Sequence, residues 1–79
     1  MRLIEFKMER SGLVEEGEKV QVVERKCPAN YYYIIEPAVA MSGCYLERER
    51  LKSSYGVVKQ IKQTDRGFYV IVEFDEPDV

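Results

Sequence analysis

The chain has 79 residues, 46 % hydrophobic and 33 % charged, with a formal net charge of −2 and no histidine. That length has room for one domain, residues 1–79, and buries only about 60 % of its unfolded surface, which argues against a large internal active site. The charge argues against a whole-molecule grip on nucleic acid, and no apolar run approaches the ~20 residues that cross a bilayer.

The opening stretch MRLIEFKMER alternates apolar with charged residues and lacks the marks of a signal peptide, so a cytoplasmic location is expected. Within it, Ile4, Phe6 and Met8 fall on one side and Leu3, Glu5, Lys7 and Glu9 on the other, which is the period of a half-buried strand. Ser11-Gly12 breaks that strand, Leu13-Val14 returns to the core, and Glu15-Glu16-Gly17 forms a turn with Gly17 left-handed. A second strand runs from Glu18 to about Lys26 on Val20, Val22 and Val23. The adjacent pair Val22-Val23 predicts either a β-bulge or burial on both faces. Cys27-Pro28-Ala29-Asn30 turns the chain into a third strand, Tyr31 to Glu36, which Pro37 stops.

Residues 38–54 admit two descriptions. One is a short strand at Ala38–Met41, a loop and a single helical turn near Glu47–Leu51; the other is a longer helix, which Gly43 would weaken by about 1 kcal/mol. The first is preferred. The last third, Tyr55 to Asp75, is a β-hairpin around a three-residue loop, Asp65-Arg66-Gly67. Its second strand presents Phe68, Val70, Val72 and Phe74 to the core. On its first strand, Val57 and Ile61 alternate with Val58, Gln60 and Lys62. The tail Glu76–Val79 is expected to fray.

Five to six short strands predict an all-β chain with a strongly bent antiparallel sheet, rolled into a partly open barrel that protects its edges. The run Gly56-Val57-Val58-x-x-Ile61 followed by Gly67-Phe68-Tyr69-Val70-x-Val72-x-Phe74-Asp75 resembles the final strands of SH3-like barrels such as Tudor and KOW domains. The resemblance spans about 20 of the 79 residues and implies a fold rather than an activity.

Catalysis by a histidine-activated nucleophile is excluded by composition, and the glycines form neither a P-loop nor a dinucleotide fingerprint. Cys27 and Cys44 are too few for a zinc site and lack Cys-x-x-Cys spacing, so free thiols in a reducing compartment are expected. A non-enzyme without cofactor or metal is therefore the expectation.

Six tyrosines and an uneven charge distribution point instead to binding. Arg48, Arg50, Lys52, Lys59, Lys62 and Arg66 stand against only Glu49 and Asp65, leaving −6 for the rest of the chain. Tyr31, Tyr33 and Tyr55 with Arg48, Arg50 and Lys52 form the candidate partner surface, suited to a protein and, as an alternative, to RNA. The competing description makes these tyrosines cross-strand pairs within the barrel and the arginines members of internal ion pairs. A third role is a structural subunit that completes a sheet or a homodimer through an exposed strand.

Overall fold

The computed structural model describes residues 1–8, 14–36 and 40–77. Six strands form in chain order: β1 (Arg2–Met8), β2 (Lys19–Lys26), β3 (Tyr31–Glu36), β4 (Ala40–Ser42), β5 (Tyr55–Thr64) and β6 (Gly67–Phe74). A single 3-10 turn at Glu47–Glu49 lies between β4 and β5. The strands close into an antiparallel barrel in the order β1-β4-β3-β2-β5-β6. β1 seals it, pairing along its whole length with β6 from Arg2↔Phe74 to Met8↔Phe68 and near its end with β4 through Phe6↔Ser42. The bent sheet expected from the sequence is present in its six-stranded form, and its two margins meet.

The barrel is filled by alternate side chains of every strand. Ile4, Phe6 and Met8 of β1 meet Val70, Val72 and Phe74 of β6, with Val20, Val22, Tyr33, Ile35, Ala40 and Val58 completing the core. The Phe6 and Phe74 rings pack tilted, 6.3 Å between centroids. Gly56 faces inward as well. A Cβ there would lie 2.5 Å from Val72 Cγ1 and 2.7 Å from the Phe74 ring, so its lack of a side chain is what admits Phe74.

Three details differ from expectation. Of the two alternatives at Val22-Val23 the bulge is not found, since the β2–β3 register is unbroken there with Val22 buried and Val23 half-buried; the bulge lies in β5 between Val58 and Gln60. It reverses the parity of β5: Gly56 and Val58 point inward before it and Ile61 after it, while Val57 is outside. The neighbouring turn explains the site, because Gly17 N–H donates to the Val58 carbonyl (2.7 Å) and Val58 N–H to the Glu18 carbonyl (2.8 Å), with Gly17 at φ 86°. Second, the hairpin turn has two residues, Asp65 and Arg66, since Thr64 pairs with Gly67. Gly67 nonetheless needs its glycine, at φ 132°. Third, the tail is anchored at Glu76, as described below. Val14 is buried as expected; Leu13, the Ser11-Gly12 break and the Pro37 stop lie outside the described residues.

Candidate functional site

Residues 43–54 form a strap across one end of the barrel, and the barrel's end residues hold it. Arg2 shares the inward parity of Ile4 and Phe6, and is 3 % exposed. Its guanidinium donates to the Glu49 carbonyl (2.6 Å) and the Arg50 carbonyl (3.4 Å), bridges Glu76 at 3.3 Å, and lies 5.4 Å from the Tyr45 ring centroid. A buried guanidinium is tolerated only with such partners. Glu76 in turn accepts from Lys52 N–H, Ser53 N–H and the Ser53 hydroxyl at 2.8–2.9 Å. Burial pushes the Glu76 carboxyl up, but these hydrogen bonds and Arg2 outweigh it and hold the group below the ordinary carboxylate range. The residue expected to fray is the strap's anchor.

Tyr33 provides the second fastening. It is 1 % exposed and belongs to the core, which corrects its assignment to a partner surface. Inward parity on β3 buries its ring, and only the hydroxyl reaches the barrel end. There it accepts from Leu51 N–H (2.7 Å) and donates to Glu24 Oε2 (2.8 Å). Burial raises its phenol above the ordinary value.

Glu24 also receives Arg50 in a two-point contact, Nε at 3.1 Å and Nη2 at 2.6 Å, and Arg50 lies 4.5 Å over the Tyr31 ring. Arg50 thereby holds the Glu24 carboxyl low, against the effect of burial and with help from the Tyr33 hydroxyl. Of the candidate residues, Tyr31, Tyr33 and Arg50 thus come together, but in a fastening internal to the chain. Arg48 and Lys52 remain on the outside of the strap, lining a shallow depression with Glu47, Arg50 and Leu51.

Tyr55 is elsewhere. It sits opposite Gln21 on β2, whereas Tyr31 sits opposite Lys26. Five residues of strand separate those positions, about 17 Å at about 3.3 Å per residue. The basic strip is likewise divided by ion pairs: Lys59 bridges Glu73 at 3.8 Å and Lys62 bridges Glu5 at 3.0 Å.

A different surface surrounds Tyr55. Register places Leu3, Glu73, Val57 and Lys19 side by side across β1, β6, β5 and β2. Beside that row, Met1, Asp75 and Tyr55 line one small cleft with Lys19, Gly56, Val57 and Glu73. Met1, Leu3, Tyr55 and Val57 are 61, 54, 52 and 44 % exposed, four of the six large hydrophobic side chains on the outside of the described residues. Lys19 Nζ lies 4.7 Å from the Tyr55 ring centroid. The cleft holds about 120 Å³, below the ~300 Å³ at which small-molecule sites begin. Its shape is that of a dimple in an extended face.

Alternation carried a signal for this face, since Leu3 stands on the polar side of β1. The bulge hid the rest, because either Val57 or Val58 could have been the inward one.

No family model, curated protein or solved structure matches the chain. Among the described residues, no cluster of carboxylates and thiols has metal-binding geometry, and no helix is long and apolar enough to cross a membrane. Cys27, half-buried, and Cys44, exposed, are free thiols.

Proposed function

We propose that the chain is a small non-catalytic binding module that contacts a protein through the outer face of β1, β6 and β5. One observation carries this: four of the exposed apolar side chains gather in two adjacent rows, Leu3 with Val57 and Met1 with Tyr55, with Glu73 between Leu3 and Val57 and with Lys19 and Lys59 beside them. A cluster of exposed apolar side chains with an aromatic anchor marks a protein contact. A cytoplasmic location is supported by the two free thiols. A photoreactive residue at position 57, compared with one at Arg66 on the hairpin tip, tests the face in living cells. A protein adduct specific to position 57 is expected; adducts at neither position, or equally at both, remove the proposal.

A second reading, nucleic-acid binding, has one observation in its favour. Lys7, Tyr69 and Lys62 stand side by side on β1, β6 and β5, with Arg66 lining the same groove as Tyr69. It predicts RNA binding that weakens steeply with salt and with Tyr69→Ala. Absence of a filter-retained complex at low salt removes it.

A further inference from the structure

We propose that the protein seated on the outer face of β1, β6 and β5 is a second copy of this chain, joined by a two-fold axis along the strands between β5 and β6. This rests on the reading of that face as a protein contact and adds the partner's identity.

The warrant is how charge is distributed across the face. Its acids, Glu73 and Asp75, belong to β6 or directly follow it, while its cations, Lys59 and Lys19, belong to β5 and β2 on the other side of the proposed axis. Two acids and two cations make the patch neutral, unlike a surface built for a strongly charged partner. A two-fold axis lying in the interface and parallel to the strands sets β6 of one copy over β5 of the other. Glu73 of each copy then lies over Val57 of its partner, flanked by the partner's Lys59 and Lys19, with Asp75 beside it. The other in-plane axis, across the strands, sets β6 on β6 and brings acid against acid. Charge therefore selects one of the two symmetric arrangements and makes the face complementary to itself, as an isologous interface must be.

The existing contacts of these cations are exchangeable. Lys59 reaches Glu73 only at 3.8 Å with its side chain 62 % exposed, and Lys19 rests on the face of Tyr55. Neither is held as Arg2 is. A standard interface of about 800 Å² per partner would take roughly 15 % of the 5330 Å² surface.

Sedimentation of the full chain across about 1 µM to 1 mM, a range that captures ordinary weak dimers, reads the outcome. The wild type is expected to dimerise. Val57→Asp should weaken the dimer about tenfold or more, while circular dichroism shows the barrel intact. One charge-swapped variant decides the geometry: Lys19→Glu, Lys59→Glu, Glu73→Lys and Asp75→Lys together. It should dimerise with itself, because acids still meet cations across this axis, and should not pair with the wild type, where like charges meet; the axis across the strands gives the reverse.

A chain that stays monomeric over the whole range overturns the second-copy proposal. If the photoreactive residue at 57 still captures a different protein, the face remains a protein contact. A dimer unmoved by Val57→Asp overturns the face, and a charge-swapped variant that pairs with the wild type rather than with itself overturns the axis.

Discussion

Tyr33→Phe removes one oxygen from the barrel end and leaves the packed ring in place, so its effect isolates the strap's fastening. The ring is buried and loses no volume. Two hydrogen bonds disappear, one accepted from Leu51 N–H at 2.7 Å and one donated to Glu24 at 2.8 Å. Leu51 is itself buried, so its N–H is left without a partner, at about 1–3 kcal/mol. Glu24 is partly open to solvent and keeps Arg50, so its loss stays near the low end, about 1 kcal/mol. Together these predict a destabilisation of about 2–4 kcal/mol. A chain of this size has about 4–12 kcal/mol in all, and the midpoint of thermal unfolding should fall by about 10–20 °C. Differential scanning calorimetry measures it, with Tyr32→Phe on the outer face as the control expected to change stability by under about 0.5 kcal/mol. Hydrogen exchange at Leu51 should accelerate beyond the global loss, because the strap opens first. A midpoint within about 3 °C of wild type would refute the idea that this hydroxyl fastens the strap.

Other consequences follow from the same contacts. Gly56→Ala should destabilise by about 1–3 kcal/mol through overpacking against Val72 and Phe74, in urea unfolding. Gly43→Ala meets no atom within 4 Å and should be neutral or slightly stabilising, so equal effects at both positions would sink the packing account. The carboxyls of Glu24 and Glu76 are held below the ordinary value of 4.5, so both stabilise the fold above that value. Their contribution should be lost as pH falls below 4.5 through the folded-state values, and Glu76→Gln should flatten that part of the stability profile. Arg2→Met should cost about 3–5 kcal/mol, since Glu76 and two strap carbonyls lose their buried partner. A loss under about 1 kcal/mol in chemical denaturation would show that water replaces the guanidinium.

The parts of the fold that sequence makes legible are those in which one face is apolar without interruption. β1 and β6 announce themselves through Ile4, Phe6 and Met8 and through Val70, Val72 and Phe74, and they pair along the whole of β1. The bulge in β5 leaves little trace, because Val57 and Val58 are equally apolar and only the contact with Gly17 and Glu18 decides between them. Arg2 illustrates the opposite limit. Its parity with Ile4 points inward, yet charge argues outward, and the conflict is resolved by carbonyls 47 and 48 residues away. The candidate site shows the same division. Tyr31, Tyr33 and Arg50 do converge, but what brings them together is Glu24, whose position opposite Tyr33 is a matter of register between β2 and β3. Local patterns identify residues able to bind something; they do not show that the chain itself is what they bind.

The bridge between Arg2 and Glu76 has a consequence for how this barrel can be built into larger proteins. The first residue of β1 and a residue just past β6 are 3.3 Å apart through their side chains, so the strand path starts and finishes at one spot. Such a unit can be spliced into a surface loop of a host protein without stretching either connection. It can also be rejoined there and reopened at the Asp65-Arg66 turn, which leaves every strand whole. In both arrangements the splice passes beside the strap, so whatever pulls on the junction also pulls on the contacts that hold the barrel's end shut.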